Sequence, residues 1–334
     1  MRFTSKWLPL SVMSLISSGV FPVNYEIDKH WSFLAEYVYL KRDEISPRPL
    51  VKDSAKPHIS HCCPTTVVLT PKNLLNSFDW ESGGRLGLAY RPDTKSIYEA
   101  RFMYVWPWSY TEVVKGNHTL SFPFKTNTFT EDYNTASQAT ANYNSQFYTF
   151  DLNYWRNSGV RGKDYFVISG IFGLRFFQIK EKFNIAFLNY TYSGTSQSNY
   201  RAKTLNDAIG IQGGFDFQMN PYSHFNLDIM GLGGLGFNRA YESIFLGDVN
   251  NTHIIREFTK DHAQNIVFAD AEIKLGYEVV PGMNFHVGYQ MFYASGLALA
   301  PNELSYNVNP LEERFNHTRY VIIHGILAGM NFNF

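Results

Sequence analysis

The sequence predicts an all-β fold: a closed antiparallel transmembrane β-barrel of ten strands, with twelve as the alternative, joined by short periplasmic turns and long external loops. Three observations predict it. Apolar and polar side chains alternate at period two in many separate runs, which sets them on opposite faces of a strand. The links between those runs are short and long by turns, the pattern of outer-membrane barrels. Of the 334 residues, 17% are aromatic and only 17% charged, against about 25% charged in ordinary soluble domains; mean hydropathy is nonetheless -0.23.

The same numbers exclude other classes. Past the N-terminus no window holds the roughly 20 apolar residues that a spanning helix needs. With 29 basic and 29 acidic residues there is no basic field for nucleic acid. A chain so rich in large rings has too much apolar surface to stay disordered.

Residues 1–19 read as a secretory signal peptide, with Arg2 and Lys6 ahead of an apolar stretch from Trp7 to Val20. Residues 20–334 then form the barrel domain. The clearest alternation lies in Tyr143–Trp155, Phe166–Phe176, Ala208–Gln218 and Ile266–Tyr277. In Tyr143–Trp155, for example, Tyr148, Phe150, Leu152 and Tyr154 oppose Thr149, Asp151 and Asn153. Weaker copies occur at Trp31–Lys41, Arg85–Tyr90, Tyr98–Trp106, Phe225–Gly236, Met283–Tyr293 and Arg319–Phe334. Lys182–Ser193 also alternates, either extending the fifth strand or forming the extra hairpin of a twelve-stranded barrel.

Tight links fall at Arg91–Ser96, Asn157–Lys163, Met219–Ser223 and Val279–Gly282, each with Pro, Gly or Asn. The long ones span 42–78, 108–143, 178–206, 241–263 and 295–317. Cys62 and Cys63 fall in the first of these. Adjacent cysteines strain any mutual disulfide, so they read as exposed thiols or as cross-links to a neighbouring envelope protein.

The polar faces hold Gly, Asn, Gln and ions of both signs, which suits a solvated lumen. Glu36, Arg85, Glu99, Arg101, Asp151, Arg175, Asp216, Asp228, Asp270, Glu272, Lys274 and His286 are the lumen-lining candidates. Trp106, Trp108 and Tyr110 mark the outer aromatic girdle, and Phe332 and Phe334 the periplasmic one. The terminal run Gly329-Met330-Asn331-Phe332-Asn333-Phe334 looks like the last strand that outer-membrane assembly machinery reads.

Several segments together resemble a bacterial outer-membrane β-barrel family known from planctomycetes and chlamydia-like bacteria, long catalogued as a domain of unknown function. They are Ala35-Glu36-Tyr37-Val38-Tyr39-Leu40, Leu152-Asn153-Tyr154-Trp155-Arg156 and Gly173-Leu174-Arg175-Phe176. Gly210, Gln212 and Gly214 match a further element, from which Ile211 and Gly213 depart. The best match is Leu275-Gly276-Tyr277-Glu278-Val279-Val280-Pro281, with Val287-Gly288-Tyr289-Gln290-Met291-Phe292-Tyr293 and Val308-Asn309-Pro310. The likeness spans most of residues 31–334. It implies an outer-membrane barrel allied to pore-forming major outer-membrane proteins, and it transfers no catalytic site.

No P-loop, nucleophile elbow or zinc helix occurs, so neither cofactor nor metal is expected. Asp261-His262, with His253 nearby, is the one acid–base pair worth weighing, and loop histidines are far more often solvated bystanders. His324 faces lipid by strand parity, with Ile323 and Gly325 offering it no catalytic partner. The sequence thus predicts a non-enzymatic protein of the Gram-negative outer membrane, in contact with its lipids. The expected role is a narrow porin-like pore for ions or small solutes, and the alternative a structural or adhesive surface protein acting through its long loops.

Overall fold

The computed structural model describes residues 30–43, 49–54, 66–71, 74, 79–124, 131–160, 164–191, 194–222, 224–248, 250–304 and 319–334. The segment read as a signal peptide and both cysteines lie outside them.

Twelve strands form one antiparallel sheet: β1 (Trp31–Asp43), β2 (Val51–Asp53), β3 (Thr66–Leu69), β4 (Glu81–Tyr90), β5 (Ser96–Ser121), β6 (Ala136–Asn157), β7 (Phe166–Thr191), β8 (Gly194–Tyr222), β9 (Phe225–Asp248), β10 (His253–Val280), β11 (Met283–Leu297) and β12 (Arg319–Asn333). Ten of them close a ring, since β1 pairs with both β4 and β12, and β5 with both β4 and β6. The two short strands β2 and β3 extend the sheet beside the far end of β5. Chain closure runs from Ser32 opposite Asn333 to Asp43 opposite Ile322. Trp31 and Phe334 finish the seam by exchanging backbone hydrogen bonds at 3.0 and 2.9 Å. Closure leaves no sheet edge for lipid to desolvate.

The ring is uneven in height. β1, β4, β11 and β12 run 10–15 residues, whereas β5 to β10 run 22–29. Much of what alternation assigns to long external loops is therefore strand. Lys182–Ser193 resolves the same way for its described residues: β7 continues unbroken to Thr191 and pairs with β8 up to Gly194.

Along these long strands the alternation is continuous but its chemistry changes sides. On β6 the outer face reads Tyr148, Phe150, Leu152, Tyr154 toward the short-turn end, and Gln138, Thr140, Asn142, Asn144, Gln146 beyond it. The inner face does the opposite, with Thr149, Asp151 and Asn153 below and Ala139, Ala141, Tyr143 and Phe147 above. The switch falls at the same level on neighbouring strands. Phe176, Ile209 and Phe237 end the unbroken apolar run outside, and Gln178, Asp207 and Arg239 follow them in register. Below that line Ile209, Ile211, Phe215, Leu235 and Phe237 are 49–67% exposed, far more apolar surface than a soluble face carries. That belt is the lipid contact. The chain is a closed transmembrane β-barrel.

Above the line the six long strands raise a wall with its own apolar core. Phe183, Ile185, Phe187, Tyr143, Tyr200, Ile244 and Leu246 are buried on its inner side. Helix α1 (Glu131–Asn134) fits Tyr133 into that core, where its hydroxyl donates to the Gly247 carbonyl at 2.7 Å.

Candidate functional site

The interior is the candidate site, and it is built in layers from the short-turn end upward. Lowest is a cavity of about 230 Å³, open at that end, with Asp216, Asp228, Gln218 and Trp155 in its lining. Gln218 is 7% exposed and its Oε1 has no hydrogen-bond partner among the described residues.

Above the cavity four cations meet five carboxylates. Arg85 donates to Glu36 at 2.9 Å, lies 2.9 Å from Glu272 and also reaches Gln290. Lys274 contacts Glu36 and Glu272, each at 2.9 Å. Arg101 lies 2.7 Å from Glu99 and 3.5 Å from Asp151. Arg175 holds Asp151 through two N–H groups at 2.6 and 3.1 Å and reaches Asp270 at 2.9 Å. His286 Nε2 sits 2.7 Å from Glu36. These side chains come from β1, β4, β5, β6, β7, β10 and β11, so the layer spans the lumen. Alternation brings them inward, and register sets acid opposite base: Glu36 faces Arg85, and Asp151 faces both Arg101 and Arg175. Each buried charge is thus compensated, without which burial would cost several kcal/mol per ion.

An aromatic layer covers the ions. Phe147, Phe177, Phe268 and Phe292 are at most 2% exposed, with ring centroids 5.2–5.8 Å apart. The Arg175 guanidinium packs under it, 5.8 and 5.6 Å from the Phe268 and Phe292 centroids. Glycine makes room for Phe268: a Cβ at Gly210 would lie 2.7 Å from its ring, and one at Gly234 would overlap it. Ile211, one of the two departures from the element that Gly210, Gln212 and Gly214 resemble, is 49% exposed on the outer face and leaves lumen packing untouched.

A strap of residues 297–304 then lies across the interior, all of it buried. Asn206 clamps Ala298 by both its N–H and its carbonyl, at 2.9 and 2.7 Å. Glu181 accepts from the Ala300 N–H at 2.8 Å and pairs with the buried Arg42. Beside the strap, Glu242 faces Glu303 and lies 3.8 Å from His262 Nδ1. Burial pushes the Glu242 carboxyl up to about 7, opposed by Lys260. Burial and Lys260 hold the His262 imidazole below its usual value. Sequence reasoning missed the strap, because a buried loop carries no periodicity to flag it.

Three placements differ from expectation. Trp108 is not in the girdle: it is 0% exposed and donates to the Leu40 carbonyl at 3.2 Å. Tyr110 likewise packs against the interior core and donates to Glu112. The cause is a bulge after Val105, where Trp106 and Pro107 oppose one partner residue and reverse the faces of all that follows. Trp106 itself stays outside, 52% exposed. Phe332 and Phe334 lie at the short-turn end, Phe334 63% exposed. The Asp261-His262 pair is split by strand alternation, Asp261 binding Arg239 outside while His262 turns inward. His324 is outside and does have partners: its Nε2 lies 2.8 Å from Asp43 Oδ2 and its Nδ1 2.5 Å from the Tyr289 hydroxyl.

No family model matches the chain, and no curated protein does. Solved outer-membrane barrels do. The outer membrane protease OmpT of Escherichia coli is 9% identical, with TM-score 0.48, over 94% of this chain and 99% of its own. The attachment invasion locus protein Ail of Yersinia pestis is 8% identical, with TM-score 0.27, over 92% and 99%. OprG of Pseudomonas aeruginosa is 10% identical, with TM-score 0.26, over 92% and 97%. At such identities the likeness is one of fold. The expectation of a non-enzymatic chain is overturned by the first of them, because the barrels it resembles include a protease.

Proposed function

We propose that this protein is a closed barrel that works at the cell surface, through the wall that β5 to β10 raise above the bilayer. One observation carries the reading: the interior is filled at successive levels by the ion layer, the Phe147/Phe177/Phe268/Phe292 layer and the strap, whose residues are nearly all under 9% exposed. Small barrels are commonly filled by side chains in this way. A rigid wall with a polar outer face and a packed core is what a surface role asks of a scaffold. Kinship with the planctomycete and chlamydia-like family, on the β10–β11 motifs, belongs to the same reading, as does recognition of β12 by assembly machinery.

The porin-like alternative is favoured only by the cavity at the short-turn end, whose lining includes Arg101, Glu272 and Lys274 of the ion layer. Planar-bilayer recording of the folded full chain separates the two. A silent bilayer is expected. Discrete conductance steps whose ion selectivity shifts in Arg175→Ala or Arg101→Ala would replace the surface reading with the pore.

A further inference from the structure

We propose that the outer face of the wall binds a phosphorylated sugar headgroup of the outer leaflet, through Lys180, Lys182, Arg201 and Lys203. All four are exposed and point outward, on two adjacent strands. Lys182 stands directly opposite Lys203, and Asn184 opposite Arg201. Like charges facing each other across a strand pair destabilise it, and no carboxylate within ion-pair distance relieves these four among the described residues. Flanking outward positions are neutral: Asn144 and Gln146 on β6 and Ser243 on β9 lie in register with Lys182, Lys180 and Lys203. Of the acids on this face, Asp207 already accepts from Gln178 at 2.5 Å, and Glu257 stands on β10, beyond Phe245 from Arg201. In a chain with no net charge, this concentration of positive charge calls for an external anion.

Height identifies the anion. Lys180 and Lys182 follow Phe176, the last lipid-facing residue of β7, by four and six positions. At the usual rise and tilt of a barrel strand, that sets their backbone about 10–15 Å above the hydrocarbon edge. A simple phospholipid headgroup zone is only about 5–7 Å deep on each side. The phosphates that meet this patch are therefore carried on sugars standing above the acyl chains, as in a phosphorylated glycolipid. Arg201 also lies 5.4 Å from the Phe245 ring centroid, which holds its guanidinium against the wall.

The test titrates the detergent-folded full chain with rough lipopolysaccharide carrying a phosphorylated inner core, near physiological salt. Each cation near an anionic surface contributes about fivefold to binding, so Lys182→Gln/Lys203→Gln is expected to weaken it about 25-fold. Lys182→Arg/Lys203→Arg should retain it, and Lys115→Gln, higher on the wall, should leave it unchanged. Unchanged heat-modifiable mobility on gels checks that each variant is folded. Equal binding of the glutamine variant, of dephosphorylated lipopolysaccharide or of phosphatidylglycerol vesicles overturns the proposal. Displacement by millimolar inorganic phosphate would reduce the patch to a free-anion site and overturn it too.

Discussion

The lower and upper halves of β6 to β10 are made of the same strands in the same register, and they solve opposite problems. Below Phe176, Ile209 and Phe237 the solvent outside is lipid, so apolar side chains face out and ions are gathered inside. Above them the solvent is water, so Phe183, Ile185 and Phe187 turn in while Lys180 and Lys182 turn out. Backbone geometry fixes only that neighbours alternate. Which set faces the core depends on what lies beyond the wall.

The largest effect that tests this contrast comes from the lower half. Arg175→Ala leaves Asp151 and Asp270 buried without their shared cation, and is expected to cost about 3–5 kcal/mol in unfolding by guanidinium. Replacing Arg175, Asp151 and Asp270 together by apolar residues of similar volume should recover most of that loss. If the single and triple variants are equally unstable, packing rather than charge holds this layer.

A smaller and more local effect maps the boundary. Phe172→Arg, in the middle of the lipid belt, is expected to cost about 2–4 kcal/mol. Thr140→Arg, on the outer face of the wall, should change stability by about 0.5 kcal/mol or less. Equal costs would mean that lipid and water do not divide where the amphipathy reverses.

The smallest effect is a pH dependence confined to the wall. The Glu242 carboxyl is raised from its ordinary 4.5 to about 7, so the folded state keeps a proton that the unfolded chain has released. Its stabilising contribution is complete below about pH 4.5 and is lost as pH rises through about 7. Amide exchange in the strap at 297–304 is expected to quicken over that interval beyond its intrinsic base catalysis. Glu242→Gln should flatten the excess, with His262, Lys260 and Glu303, which face the same carboxyl, left in place. An unchanged profile would detach the strap from Glu242.

The ring of ten was legible because the lipid-facing runs are uniform: Phe172, Leu174 and Phe176 keep one phase through the whole belt. The wall was not, because its alternation continues out of phase. Phe176-Phe177 on β7 puts two large rings side by side, and a phase slip of that kind reads as a strand end or a new hairpin. It marks instead the level at which water replaces lipid. Trp108 and Tyr110 were misplaced for a related reason, since the bulge at Trp106 and Pro107 shifts phase without any change in composition. The inward direction of Glu36, Arg85 and Arg175 followed from parity alone. Their partners across the lumen, such as Arg175 with Asp270, depend on which strands the closed ring brings face to face. The basic patch left a faint trace in Lys180-x-Lys182 and Arg201-x-Lys203, inside segments read as loops.

The seam between β1 and β12 joins residues some three hundred positions apart in the chain. Until that zipper shuts, two rows of amides and carbonyls have no mate in hydrocarbon, and Glu36 lacks the β11 imidazole beside it. Insertion and cylinder formation must consequently be coupled. Any intermediate that commits nine staves to the bilayer before the tenth arrives would be driven to borrow a neighbour's edge.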